Sequence, residues 1–172
     1  GTIEAGASAA IVFTVSNPQA VALSSVSFSD PLVNMALGAG AGVTETCSGV
    51  VTPVGVSAGS TSFTLTLNTL AASESCTITV SPVTSTVSSP AAGHPNTTSG
   101  VTSTQTAVNP GAGATGNLRV IVPPTITKSF SPAAIATGGT STVTFTITNP
   151  NAVGLTHVRF TDDLPPNPLN TA

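Results

Sequence analysis

Charged side chains are scarce in this sequence. The 172-residue chain has one lysine, two arginines and six acidic residues, a charged fraction of 5%, whereas globular domains carry about 25%. With three basic side chains and a net charge of −3, no basic surface is available to neutralise phosphates, so neither nucleic acid nor an anionic membrane is expected as a partner. Few charges also leave little repulsion between copies, which favours self-association.

Long apolar runs are missing too. Mean hydropathy is +0.39, yet no segment approaches the roughly 18 consecutive apolar residues of a membrane-spanning helix. The apolar residues alternate with threonine and serine instead. We therefore expect paired sheets and no membrane insertion within this chain.

Period-two alternation is the pattern that fills the sequence. In "TSFTLTL" (Thr61–Leu67), the residues Phe63, Leu65 and Leu67 share one face, as a half-buried antiparallel strand requires. No stretch combines helical spacing with a capping box, and glycine and proline interrupt the chain often. Seven strands are predicted in the first unit: Ser8–Ser16, Ala22–Ser29, Val43–Val51, Thr61–Leu67, Ser75–Ser81, Thr97–Val108 and Asn117–Val122. Seven short strands separated by turn residues predict an all-β protein, an antiparallel β-sandwich, with "SSPAAGHPN" as a long loop.

The opening of the chain recurs. Residues 1–30 align with residues 133–162 without a gap; "FTVSNPQAV" at Phe13–Val21 returns as "FTITNPNAV" at Phe145–Val153. This predicts a tandem repeat with a period of about 132 residues that starts near Pro123. On this basis we expect residues 1–122 to form one sandwich without its opening strand, and residues 123–172 to hold the opening strands of the next.

These motifs resemble a known family. "PPTITKSFSPAAI" opens the repeat, "TETCSG" and "ESCTITV" each carry one cysteine, and "PNTTSGVTST" follows. In this order they are similar to the immunoglobulin-like, DUF11-like repeats of bacterial secreted and surface proteins. The resemblance implies an immunoglobulin-like sandwich, often in tandem, that forms stalks, adhesins or other extracellular structures at the bacterial cell surface.

Two cysteines, Cys47 and Cys76, are the only ones in the chain. An even pair in a β domain of secreted type, each on its own strand, predicts one disulfide; the alternative is two buried free thiols. Closing a loop of about 30 residues would stabilise the fold by roughly 3.5 kcal/mol. Neither cysteine has a histidine or a second cysteine at ligand spacing, so we expect no zinc site.

A sharper chemical hypothesis concerns Lys128, Asp162, Asp30 and Asn96. Sandwich domains of surface proteins can join a lysine on the first strand to an asparagine on a late strand through an isopeptide bond, with a buried carboxylate moving the proton. Within one continuous fold, however, Lys128 would pair with a late strand outside this chain, while Asp30 and Asn96 lack their lysine. The bond would need an opening strand from another copy. The alternative is an ion pair between Lys128 and Asp162, with Asn96 in a turn.

Other candidate sites are weaker. His94 and His157 lie far from any serine in a nucleophile context, so no hydrolytic triad is expected. Asp162 and Asp163 form at most a weak calcium site, and "NTT" at Asn96 is a glycosylation sequon. We expect no enzyme activity, metal or cofactor.

The sequence thus favours a structural module of an extracellular fibre or stalk that partners with itself. Either the repeats follow one another on one chain, or the opening strand of one copy completes the sheet of another. The predicted inter-repeat strand comprises Thr125, Ile126, Thr127, Lys128, Ser129 and Phe130. The alternative function is an adhesin module that binds a ligand through its end loops, although tyrosine and tryptophan, the usual hot-spot residues, are absent.

Overall fold

The computed structural model describes residues 1–106 and 112–164. The chain divides into two compact units, Gly1–Pro123 with Pro150–Ala152, and Pro124–Asn149 with Val153–Ala172. Both are built from strands, and the described ranges contain no helix, hence none long and apolar enough to cross a membrane. The strands are β1 (Thr2–Glu4), β2 (Ser8–Ser16), β3 (Leu23–Pro31), β4 (Ala36–Glu45), β5 (Val51–Val54), β6 (Ser62–Leu70), β7 (Ser75–Thr84), β8 (His94–Thr97), β9 (Thr115–Ile121), β10 (Thr125–Ser131) and β11 (Thr142–Thr148).

Two antiparallel sheets enclose the core of the first unit. Their strand orders are β2-β7-β4 and β3-β6-β5. Alternate residues of each sheet turn towards one shared apolar cluster, in which the ring of Phe13 lies 5.0 Å from that of Phe28 and 6.1 Å from that of Phe63. The predicted all-β fold is therefore confirmed, and this arrangement is consistent with a β-sandwich.

A third small sheet has the order β1-β9-β8. The strand β8 runs antiparallel to β9, whereas β1 and β9 are parallel. The prediction of one long loop over "SSPAAGHPN" is wrong at its end, because β8 begins at His94 and pairs there with β9. Asn96 on β8 donates a hydrogen bond to Asp30 on β3, so this sheet lies beside the sheet that contains β3.

Strand boundaries agree with the sequence patterns in some places and differ in others. Ser8–Ser16 is a strand as predicted. The predicted strand Val43–Val51 is confirmed over its first three residues and wrong beyond them, because β4 ends at Glu45 and β5 begins at Val51. Between them Gly49 passes so close to Thr69 that a Cβ would lie 2.0 Å from its carbonyl oxygen, so this position requires glycine.

The predicted strand Thr97–Val108 is also largely wrong. The strand β8 already ends at Thr97, and beyond it a single bridge joins Thr102 to Ser27. Ser103 and Thr106 then close a turn through their hydroxyl groups, which competes with strand pairing. Residues 107 and 108 of the prediction, and 165–172 of the second predicted domain, lie outside the described residues.

The second unit contains the antiparallel pair β10 and β11, in which Lys128 lies opposite Phe145. The segment of this unit that aligns with residues 1–30 has matching backbone features. Gly138 has φ 78° where Gly6 has 82°, and His157 has φ 57° where Ser25 has 52°. Each pair occupies the left-handed region that non-glycine residues seldom adopt, so the sequence alignment corresponds to a local structural match.

Candidate functional site

The disulfide is the covalent link of the first unit. Cys47 and Cys76 are bonded, with their Cα atoms 4.9 Å apart and a sequence separation of 29. The predicted disulfide is confirmed. One detail of the prediction is wrong, because only Cys76 lies on a strand, β7, whereas Cys47 follows the end of β4.

Glu74 secures the bend that contains Cys47. Its carboxylate accepts hydrogen bonds from the backbone N–H of Ser48 at 2.6 Å, from the Ser48 hydroxyl at 2.7 Å and from the backbone N–H of Ala71 at 2.6 Å. The side-chain bond from Ser48, followed by the two backbone bonds, lowers the pKa of Glu74 below its usual value. No sequence motif pointed to this residue, because its partners lie in two separate loops.

A buried carboxyl group lies next to the core of the first unit. Asp30 on β3 is 0% exposed, and its Oδ1 accepts a hydrogen bond of 2.7 Å from Nδ2 of Asn96 on β8. Burial raises the pKa of Asp30 above its usual value, although the hydrogen bond from Asn96 opposes this shift. The other oxygen, Oδ2, is buried and has no hydrogen-bond partner among the described residues. Such unsatisfied buried groups are rare in folded proteins.

The side-chain amide of Asn96 donates two hydrogen bonds. Its Nδ2 also donates to the carbonyl oxygen of Pro31 at 3.0 Å, and the residue is 8% exposed. The expectation that Asn96 lies in a turn is wrong, since it belongs to β8. Because its amide nitrogen is buried and bonded, the sequon is not accessible to a glycosylating enzyme in the folded protein.

In the second unit, Lys128 forms an ion pair with Asp162. The lysine Nζ lies 2.7 Å from Oδ1 and 2.9 Å from Oδ2 of the carboxylate, and both side chains are about one third exposed (33% and 29%). The same Nζ lies 5.2 Å from the ring centroid of Phe130 and 5.6 Å from that of Phe145, within cation–π range. The ion pair is the interaction that the simpler of the two hypotheses expected.

The aligned aspartates of the two units have different partners. Asp162 aligns with Asp30, and Phe145 aligns with Phe13. One aspartate has a lysine as its partner and the other has an asparagine. The sequence placed all four residues in one hypothesis, but it did not reveal that Oδ2 of Asp30 has no hydrogen-bond partner among the described residues.

The edge of β2 opens onto a groove. In the sheet β2-β7-β4 the strand β2 pairs with β7 alone among the described strands. A cavity of about 220 Å³ borders the β2 edge, and its lining includes Ile11, Val12, Met35, Asn96 and Leu118. Val12 is 60% exposed. In the second unit, by contrast, the aligned strand β11 is paired along its length with β10.

The residues of the predicted inter-repeat strand all lie in β10. They are Thr125, Ile126, Thr127, Lys128, Ser129 and Phe130. Ile126, Lys128 and Phe130 lie opposite Ile147, Phe145 and Val143, which align with the inward-facing Val15, Phe13 and Ile11 of β2. Ile126 and Phe130 are each 47% exposed, so the apolar face of β10 is only partly covered.

The two histidines lie in different surroundings. His94 is buried, and its Nε2 lies 3.0 Å from the carbonyl oxygen of Val87. His157 is exposed. Within residues 1–106 and 112–164, no group of three histidine, cysteine, aspartate or glutamate side chains is close enough to hold a metal ion.

No curated protein and no solved structure matches the chain. One family model does match, over residues 1–120 and 124–171. The match does not address the resemblance to DUF11-like repeats or the tandem repetition, which stay predictions. Because the matched residues make up almost the whole chain, the protein belongs to the family described as a domain of unknown function, DUF7933.

Proposed function

We propose that this chain is a structural repeat module of a bacterial extracellular fibre or stalk, built from immunoglobulin-like β-sandwiches. Neighbouring modules associate when a strand with the sequence of β10 pairs with the free edge of β2. The module has no catalytic role and its main partner is itself.

The observation that carries this proposal is the difference between two aligned strands. The strand β11 has β10 as its neighbour, whereas β2 pairs with β7 alone among the strands that the structure describes, and its other edge borders a groove. Since β7 already pairs along β2, a β10-type strand would add on the other side. Strand addition of this kind gains affinity from backbone hydrogen bonds and specificity from alternate side chains.

The inward face of β10 suits that edge. In the register of β10 with β11, Phe130 of an added strand would lie opposite Ile11, and Ile126 opposite Val15. Both added side chains are half exposed in the second unit. Their removal from water would favour docking by about 25 cal/mol for each Å² of apolar surface buried.

An extracellular location is supported by the disulfide, which persists in oxidising compartments. The low charge supports dense packing of copies, because neighbouring modules repel one another little. A contact between a donated strand on one module and an edge on the next is heterologous, so it can extend into a filament.

A labelled peptide of residues 123–132 tests the proposal. We expect saturable binding to the chain by fluorescence anisotropy. The peptide with I126D and F130D should not bind, while T127D, on the opposite face of the strand, should bind nearly as well as the parent. Electron microscopy of the concentrated chain should show filaments that the unlabelled peptide shortens. A peptide that does not bind, or that binds equally well with its inward face changed, would contradict the proposal.

The second candidate is an adhesin module. A cavity of about 500 Å³ opens between the turn after β2 and the loop after β8, and Pro18, Gln19, Val21 and Gln105 contribute to its lining. Asn17 fixes this turn through hydrogen bonds to the carbonyl oxygens of Val21 and Ala71, each 2.8 Å. Monomers that form no filaments, together with a peptide that does not bind, would favour an end-loop ligand site.

A further inference from the structure

The buried carboxyl group of Asp30 has a hydrogen-bond donor for only one of its two oxygens among the described residues. Asp30 Oδ1 is bonded to Asn96, while Oδ2 is buried without a partner in the described part of the chain. A second donor would satisfy this oxygen, and charged donors form the stronger bonds to carboxylates. The chain contains a single lysine, Lys128, and in the second unit it is bonded to the aspartate that aligns with Asp30.

The position of a donated lysine follows from the register of β10 and β11. Lys128 lies opposite Phe145, which aligns with Phe13 of β2. In both units the aligned phenylalanines are neighbours: the ring centroids are 5.0 Å apart for Phe13 and Phe28, and 5.1 Å apart for Phe145 and Phe160. The aspartate follows the second phenylalanine by two residues in each case. A β10 strand added to β2 in this register would therefore bring the lysine amine to the Asp30 carboxyl group.

From these positions we propose that Lys128 of one copy forms an isopeptide bond with Asn96 of a second copy, with Asp30 of the second copy transferring the protons. This inference rests on the proposed strand addition. Lysine, aspartate and asparagine would meet in one buried site, of which the present structure contains the aspartate–asparagine half in the first unit and the lysine on β10.

The reaction balances without any oxidant or cofactor. The Asp30 carboxylate takes a proton from the Lys128 ammonium group, and the neutral amine attacks Cγ of Asn96. As the new Nζ–Cγ bond forms, the carboxyl group passes protons from the incoming nitrogen to the amide nitrogen of Asn96. The Cγ–Nδ2 bond then breaks and ammonia leaves, taking the remaining proton as ammonium.

The surroundings of Asp30 suit each of these steps. An amine brought against the phenylalanine rings of the core loses solvation, and desolvation favours its neutral, nucleophilic form. Burial raises the pKa of Asp30, so its carboxyl group holds a proton more readily than an exposed aspartate does. In the present structure, Nδ2 of Asn96 donates a hydrogen bond of 2.7 Å to Oδ1 of Asp30. In the product, the N–H of the new amide would donate to this oxygen instead.

The peptide of residues 123–132 allows a direct test by intact mass under denaturing, reducing conditions. We expect a product equal to protein plus peptide minus about 17 Da, the mass of the ammonia that nucleophilic attack releases. Fragmentation should place the link between Lys128 and Asn96. A peptide with K128R should bind by anisotropy but give no such product, and this control leaves the folded protein unchanged.

Protein variants separate the roles of the other two residues. N96A lacks the side-chain amide carbon that the lysine attacks, so it should give no product of reduced mass even at peptide concentrations far above those that saturate the parent chain. D30N should form the link at least about 100-fold more slowly, the usual loss when a proton-transfer group is removed. Circular dichroism and peptide binding establish that each variant is folded.

A complementation experiment tests the bond between whole chains. K128R keeps Asn96 and N96A keeps Lys128, so neither alone should form a covalent oligomer. Their mixture should give one heterodimer, again lighter than the sum by about 17 Da. A peptide that binds by anisotropy but forms no covalent product, together with a mixture that gives no covalent heterodimer, would overturn the isopeptide bond while leaving the proposed strand addition intact. Absence of binding would overturn both.

Discussion

Two regions of this molecule have the same sequence pattern but different surroundings. In the first unit the pattern from β2 to β3 covers a core, and Phe28 is 6% exposed. In the second unit the aligned Phe160 is 48% exposed, although it contacts Phe145 at nearly the same distance as Phe28 contacts Phe13. The local pairing of side chains therefore follows from the pattern itself, whereas burial depends on strands contributed from elsewhere in the fold.

The largest expected difference concerns these phenylalanines. F28A should lower the free energy of unfolding by about 3–5 kcal/mol, since it leaves a cavity in the core. F160A should change it by less than about 1 kcal/mol, because half of its side chain already contacts water. The chain has no tryptophan or tyrosine, so urea unfolding is best followed by far-ultraviolet circular dichroism. Equal losses for the two variants would mean that Phe160 is also part of a buried core.

The second difference between the units is the disulfide, because both cysteines of the chain lie in the first unit. Replacing both Cys47 and Cys76 by serine should cost the first unit about 3.5 kcal/mol, the value for a closed loop of this size. Unfolding with and without reductant measures the same quantity in the parent chain. The double variant is the control, because its urea midpoint should not respond to reductant. A parent chain that is equally insensitive to reductant would contradict this prediction.

The aligned aspartates should differ in their response to pH. The pKa of Asp30 is raised in the folded state, so the folded protein binds this proton more tightly than the unfolded chain does. Stability should therefore rise as pH falls through the folded-state pKa of Asp30 towards the ordinary aspartate value. D30N should lack this rise.

D162N is the matched control for Asp30. It removes an exposed ion pair, which contributes about 0–1 kcal/mol at neutral pH. Stability measured by urea unfolding at a series of pH values compares the parent and the two variants. A profile for D30N that still rises like that of the parent would show that another group is responsible.

The smallest effect is expected at Glu74. Its pKa is lowered in the folded state, so its contribution is present at pH values above the ordinary glutamate pKa and is lost as pH falls through the folded-state value. E74Q should lose that contribution at neutral pH. Hydrogen exchange of the backbone N–H groups of Ser48 and Ala71 should be faster in E74Q, because both groups donate to the Glu74 carboxylate. Unchanged exchange would mean that other contacts hold the bend.

The sequence predicted those features that depend on local pattern. Alternation identified Phe63, Leu65 and Leu67 as inward-facing, and all three are at most 3% exposed. The cysteine pair identified the disulfide, because an even pair in a β domain has few other roles. Within the site, the alignment of Asp30 with Asp162 selected the two aspartates for comparison.

Features that depend on distant partners were not predicted. Gly49, which closely approaches Thr69, lies between two strands where the alternation alone predicted one continuous strand. The loop after Thr97 has strand-like composition, yet hydroxyl groups of Ser103 and Thr106 bond to each other and to backbone within the loop. Oδ2 of Asp30, which has no hydrogen-bond partner in the described part of the chain, is buried where strands β3 and β8 meet, and no spacing in the sequence predicts that meeting.

The disulfide also limits how far the protein can be stretched. A force applied to the two ends of the chain passes from Cys47 to Cys76 through the sulfur atoms and bypasses the segment between them, which includes β5 and β6. The 29-residue separation corresponds to about 100 Å of fully extended chain. That length is withheld from extension while the bond is intact, and only a reductant would release it.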